Sequence, residues 1–102
     1  MNIIYKNNKI QKVCENFSVA KREYGENNAI KLHNAIKLLI VADDIEMLLR
    51  TKMQGCHRLV GDRKGQFAMT LEQPFRLVFK IVNDEIHIIS VKILEITNYH
   101  DR

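Results

Sequence analysis

The sequence from His57 to Phe67, HRLVGDRKGQF, interleaves apolar and basic residues around a turn bounded by glycines. It places His57, Arg58, Arg63 and Lys64 within eight positions. Turns are polar for reasons unrelated to function, because Gly and Asp favour the backbone angles that a turn needs. A surface hairpin would need this turn, but it would not need so many cations. The segment therefore predicts either an ordinary surface turn or a site for a phosphate-rich partner.

A second group of candidate residues lies on and after the strands that follow. Arg76 and Lys80 have the same parity in an alternating segment, so both are expected on its polar face. Tyr99 and His100 close the last predicted strand, and a meander brings a strand end near neighbouring turns. An imidazole exchanges its proton near neutral pH, which suits general acid or base catalysis. The alternatives are a surface arginine on a half-exposed strand and a chance histidine in a frayed terminus.

Residues that could hold a metal or a nucleotide lack the required spacing. The 4 histidines form no HxxxH pair, and His33 on a helix and His87 on a strand are expected to be structural. The sequence contains no GxxxxGK[ST] loop. Cys14 and Cys56 lie far apart and belong to no CxxC or Cys/His spacing. We therefore predict no metal and no cofactor.

Composition and charge set the class of protein. The 102 residues suffice for one domain, 1–102, and the 46% of hydrophobic residues predict a globular fold. The net charge of +4 raises the expectation of a polyanionic partner. The positive excess is local, because residues 52–64 contain Lys52 and three further Lys or Arg residues against one Asp.

The cellular compartment is predicted from the thiols and from apolar segments. Two lone cysteines suggest a reducing compartment. The N-terminal stretch MNIIYKNNK has too few apolar residues for a secretory signal. The longest apolar run, LLIVA at 38–42, is far shorter than the roughly 20 residues that cross a membrane. We expect a cytoplasmic protein with no membrane partner.

The first half of the chain has the apolar spacing of helices. This spacing covers residues 8–23, with a break near Ser18, and Gly25 is suited to end a helix because glycine tolerates left-handed backbone angles. Asn27 or Asn28 then suits the N-cap of a further helix. The apolar stripe of that helix consists of Ala29, Leu32, Ile36 and Leu39.

After Gly55 the apolar period changes to two, which is typical of strands. Two alternating segments begin at Phe67 and Phe75, and a third follows the turn sequence NDE. In the third segment the apolar set shifts near Ile89, which predicts a bulge or burial on both faces. Residues 2–5, NIIY, are consistent with a short opening strand. We predict an α+β fold, with N-terminal helices packed on one face of a C-terminal antiparallel β-sheet.

The order of these features resembles the HigB branch of the RelE/ParE toxin superfamily, found in bacterial toxin–antitoxin modules. The family pattern is a His, a Leu, a Gly-Asp-Arg-Lys-Gly turn, an aromatic-led strand, an Arg-leading strand and a terminal Asp-Tyr-His. The resemblance covers about the last 45 residues. The matching positions are His57, Leu59, Gly61, Asp62, Arg63, Lys64, Gly65, Phe67, Arg76, Phe79, Tyr99 and His100.

The resemblance implies a RelE-like ribonuclease fold and a ribosome-dependent mRNA endonuclease that inhibits translation. It also implies a helix-turn-helix, HigA-like antitoxin that forms a 2:2 complex with the toxin and supplies most contacts to operator DNA. A ParE-like toxin that inhibits DNA gyrase without catalysis is the alternative. A basic RNA- or DNA-binding domain without activity is a third reading.

The implied chemistry divides the candidate residues into a catalytic group and an RNA-binding group. Metal-free RNA cleavage needs a base for the 2′-OH, an acid for the leaving 5′-oxygen and fixed cations for the phosphorane charge. The predicted catalytic residues are His57, Arg63, Arg76, Tyr99 and His100, and the predicted RNA-binding residues are Lys52, Arg58, Lys64 and Lys80.

One position departs from the family pattern. Asn98 stands where the family has an Asp before Tyr-His, so the imidazolium of His100 loses a charged neighbour. Asp101 is a candidate substitute, and greater reliance on Tyr99 and the cations is the alternative.

Overall fold

The structure, a computed structural model, describes residues 1–83 and 88–98. Four α-helices and five β-strands lie in these ranges. The helices are α1 (Asn8–Glu15), α2 (Phe17–Tyr24), α3 (Glu26–Val41) and α4 (Ile45–Thr51). The strands are β1 (Asn2–Tyr5), β2 (His57–Arg58), β3 (Gln66–Thr70), β4 (Phe75–Asn83) and β5 (Ile89–Asn98). Short 3-10 turns, Met53–Gly55 and Gly61–Arg63, flank β2.

One mixed sheet contains the five strands in the order β1-β5-β4-β3-β2. Strands β2 to β5 pair antiparallel, and β1 pairs parallel with β5. The α+β class and the opening strand are confirmed. The sequence predicts a purely antiparallel, C-terminal sheet, which does not include the parallel pairing of β1 with β5. An alternating pattern could not indicate it, because alternation reports which side chains are buried and not the direction of the neighbouring strand.

The two faces of the sheet are covered differently. One face, which we call the helical face, packs against the helices in a single apolar core. Its strand residues include Phe67, Met69, Leu77, Phe79, Val91 and Ile93. The opposite face, which we call the outer face, carries a smaller apolar cluster. That cluster consists of Leu59, Ala68, Val78 and Leu94.

A bulge in β5 changes which side chains reach the outer face. Val78 pairs with Glu95 whereas Phe79 pairs with Ile93, so Leu94 is the extra residue. Leu94 packs in the outer cluster and Ile96 packs in the core, which leaves both Leu94 and Glu95 on the outer face. The sequence predicts an irregularity near Ile89, but in the described part of β5 it lies at Leu94.

The helix boundaries follow local hydrogen bonds. Asn16 separates α1 from α2, two residues before the predicted break, and its side chain accepts from the Val19 amide at 3.2 Å. Gly25, at φ 89°, ends α2 as predicted. The predicted cap at Asn27 or Asn28 is wrong, because α3 begins at Glu26. Asn28 instead is buried; it donates to the carbonyl of Tyr24 and accepts from the amide of Glu72, at 3.0 and 2.8 Å.

Among the helices in residues 1–83 and 88–98, none combines the length and apolar character that a bilayer-spanning helix requires.

Candidate functional site on the outer face

His57 is held at the exposed edge of the outer face. It pairs with Ala68 of β3, a residue of the outer cluster, so the two side chains share that face. The Nδ1 atom of His57 lies 2.8 Å from the carbonyl oxygen of Gly55. A carbonyl can only accept, so Nδ1 must carry the hydrogen. The Nε2 atom is then the ring nitrogen that can exchange a proton with a substrate.

The loop between β2 and β3 is anchored on the same face. The Leu59 amide donates to the carbonyl of Gln66 at 2.9 Å, which closes the hairpin. The Leu59 side chain is buried in the outer cluster. Gly61 and Gly65 have φ of 66° and 93°, angles that glycine adopts without the penalty of a side chain. The apolar contact of Leu59 therefore holds the loop that contains the GDRKG turn against the sheet.

Arg63 reaches from this loop across the face to β5. Its guanidinium forms an ion pair with Glu95, and the two side chains are 37% and 40% exposed. It also donates to the Oε1 atom of Gln66 at 3.0 Å. Two partners on two strands therefore hold the Arg63 head group in place. Glu95 was not among the predicted site residues, because without the bulge its parity would place it in the core with Ile93.

Further cations project from the two central strands. Arg76 is half-buried, with its Nε atom buried, and it pairs in register with Thr97 of β5. Lys80 lies four residues further along β4 and has the same parity as Arg76, as predicted. Its partner on β5 is Lys92, which the sequence had not indicated as a site residue.

The other three predicted RNA-binding residues have different surroundings. Arg58 belongs to the helical face, where it pairs with Glu46 at 2.8 Å and lies 5.4 Å from the centre of the Phe67 ring. Lys64 is exposed and lines a cleft of about 420 Å³ beside the loop. Lys52 is exposed just after α4, in a left-handed conformation with φ 54°. Their contacts with RNA stay predictions.

The predicted residues Tyr99, His100 and Asp101 lie outside the described residues, as does His87. Asn98 is the last described residue of β5, and it pairs with Phe75, the neighbour of Arg76. His33 is exposed on α3.

The described ranges contain no group of three or more His, Cys, Asp or Glu side chains that could hold a metal ion. Both cysteines are buried free thiols. Burial raises the pKa of Cys14 to about 12, with a further contribution from Glu15. Burial also raises the pKa of Cys56 to about 11. Neither thiol is therefore activated as a nucleophile.

The structure is similar to a YoeB/ParE toxin from Agrobacterium tumefaciens, with a TM-score of 0.60 and 12% sequence identity. The match covers 96% of this chain and 98% of the other. The chain has the fold of that toxin. No protein-family profile and no curated protein matches the sequence. The likeness shows the fold, and membership of the RelE/ParE superfamily and of its HigB branch stays a prediction.

The outer face combines side chains of the kinds that can act on phosphodiesters. An imidazole with an available Nε2 atom can take a proton from a ribose hydroxyl. Arginine and lysine side chains held on a rigid sheet can stabilise the extra negative charge of a pentavalent phosphorus. In the described part of the chain this face contains His57, Arg63, Arg76, Lys80 and Lys92.

Proposed function

We propose that this protein is the toxin of a bacterial type II toxin–antitoxin system and that it cleaves mRNA without a metal ion. The observation that carries the proposal is the placement of His57 on the same sheet face as Arg63 and Arg76. The fold of a YoeB/ParE toxin supports the toxin class. The HigB-like order of motifs supports the nuclease branch of that class.

The reaction begins with proton transfer. Neutral His57 takes the 2′-OH proton at Nε2, because its Nδ1–H is engaged by the Gly55 carbonyl. The 2′-oxygen attacks the adjacent phosphorus, and the bond from phosphorus to the 5′-oxygen breaks. The products are a 2′,3′-cyclic phosphate and a 5′-hydroxyl end. His100 is proposed as the acid that protonates the leaving oxygen, a role that rests on the family resemblance.

Arg63 and Arg76 stabilise the phosphorane charge. Arginine remains protonated throughout and its planar donors fit phosphate oxygens. Arg76 stands on a central strand and Arg63 is fixed by Glu95, so both guanidinium groups are positioned before the substrate arrives. Preorganised donors of this kind each contribute about 10²–10³ to the rate.

The proposed partners follow from this role. The ribosome presents mRNA in its A site, which places action in the cytoplasm. A HigA-like helix-turn-helix antitoxin neutralises the toxin in a 2:2 complex and provides the main contacts to operator DNA. Size-exclusion chromatography with light scattering on the co-expressed pair tests this assembly, and a toxin that elutes alone contradicts it.

The test of the activity uses purified toxin, programmed ribosomes and mRNA whose 5′ ends are mapped after reaction. We expect cleavage on the ribosome, poor cleavage of free mRNA and no loss of cleavage in EDTA. An mRNA with a single 2′-deoxy residue before the cut should not be cleaved there. Cleavage of that mRNA at an unchanged rate contradicts the mechanism. Inhibition of gyrase supercoiling without any RNA cleavage supports the ParE-like alternative instead.

A further inference from the structure

Lys80 and Lys92 form a like-charged pair in the middle of the outer face. They are direct partners in the β4–β5 register. Directly opposite residues of antiparallel strands have Cβ atoms about 4.5–5.5 Å apart. The residues that flank Lys80 and Lys92 in sequence, including Phe79 and Val91, are packed in the core. Both lysine side chains therefore leave the outer face from adjacent positions.

The described neighbours of this pair do not neutralise it. Gln66 is the partner of Lys80 on β3, and Ile4 is the partner of Lys92 on β1. In residues 1–83 and 88–98 neither lysine forms an ion pair. The carboxylate on the adjacent part of this face, Glu95, is already paired with Arg63. Opposed like charges destabilise a sheet, so this arrangement costs stability unless an anion binds between them.

We propose that Lys80 and Lys92 together bind one phosphate of the RNA backbone. The proposal rests on the proposed function for the identity of the ligand. The pair therefore holds the strand in position and contributes to affinity, while the chemical step belongs to His57 and the arginines.

The binding experiment uses a short single-stranded RNA made uncleavable by 2′-deoxy residues, and titrates it at several salt concentrations. Lys80→Gln and Lys92→Gln are each expected to weaken binding about tenfold, the loss of one charge-assisted contact. A plot of log K against log salt has a negative slope. For the double variant this slope should be shallower than for the wild type by about 0.7, the value for one phosphate on a single strand. Lys37→Gln, an exposed lysine on α3, serves as the matched control and should change neither quantity.

Thermal unfolding with and without inorganic phosphate separates this inference from the proposed function. Each glutamine variant is expected to melt at or above the wild-type temperature without phosphate, because repulsion is relieved. Phosphate should raise the melting temperature of the wild type more than that of the double variant. If the wild type binds no RNA yet shows this difference, the phosphate site stands and the RNA function fails. If the wild type binds RNA and both variants match it in affinity and salt slope, the inference is wrong.

Discussion

Arg63, from the loop after β2, forms an ion pair with Glu95, which faces outward because of the bulge at Leu94. The pair joins the basic loop to β5, three strands away from β2 in the sheet. Both side chains are more than a third exposed, so the pair itself contributes at most about 1 kcal/mol to stability. In the proposed mechanism, the pair holds the Arg63 cation beside the phosphate.

Replacing Glu95 with Gln should therefore reduce cleavage far more than stability. We expect a change in unfolding free energy below about 1 kcal/mol, because the pair is partly solvated. The cleavage rate should fall about tenfold or more as Arg63 loses its fixed position. Urea unfolding and single-turnover cleavage on the ribosome measure the two effects. Arg63→Gln combined with Glu95→Gln should be no slower than Arg63→Gln alone; additive losses would mean that Glu95 acts independently of Arg63.

Arg76 and Arg58 provide a matched pair of arginine substitutions. Arg76→Ala should abolish growth inhibition, with a loss of about 10²–10³ in cleavage rate, because a cation on the outer face is removed. Arg58→Ala should remain toxic, since Arg58 contacts Glu46 and the Phe67 ring on the helical face. Growth after induction compares the two variants, and co-purification with the antitoxin reports folding. A toxic Arg76→Ala protein that binds antitoxin would mean that the active site lies elsewhere.

The histidines are distinguished by their assigned chemistry. His57→Gln should lower single-turnover cleavage by about 10²–10⁴, the usual loss for a general base, without weakening RNA binding. His100→Ala should likewise abolish growth inhibition. His87→Ala should remain toxic, because no chemical role is assigned to it. Retention of full cleavage by His57→Gln would leave His57 as a substrate-orienting residue only.

The buried thiols predict a loss of stability at alkaline pH. Unfolded cysteines ionise near pH 9, whereas burial holds the pKa of Cys56 at about 11 and that of Cys14 at about 12. Below pH 9 both states keep the proton and the stability is fully present. As the pH rises from about 9 to about 11 the unfolded state releases protons that the folded state retains, so the free energy of unfolding falls.

Urea unfolding between pH 7 and 11 measures this decline. The Cys14→Ala, Cys56→Ala double variant should show a shallower decline, although Tyr5, whose pKa burial raises to about 12, contributes in the same direction. At neutral pH both native thiols should react slowly with a thiol reagent and quickly after unfolding. An identical pH slope in the wild type and the double variant would contradict this account.

The sequence alone predicted the fold class and the loop that carries the cations. Alternation in β3 and β4 indicated which side chains face the helices, and it correctly put Arg76 and Lys80 on one face. Glycines at 61 and 65 indicated the turn, because their backbone angles are costly for other residues. The proposed role of His57 came from the order of motifs and stays a prediction.

Tertiary structure decided which charges meet. The bulge at Leu94 reverses the parity of β5, so Glu95 reaches Arg63 on the outer face instead of entering the core. Strand register, which depends on the packing of the whole sheet, opposes Lys80 to Lys92 and turns Arg58 to the helical face. Local sequence could not predict these pairings, because a one-residue change of register moves every side chain to the other face.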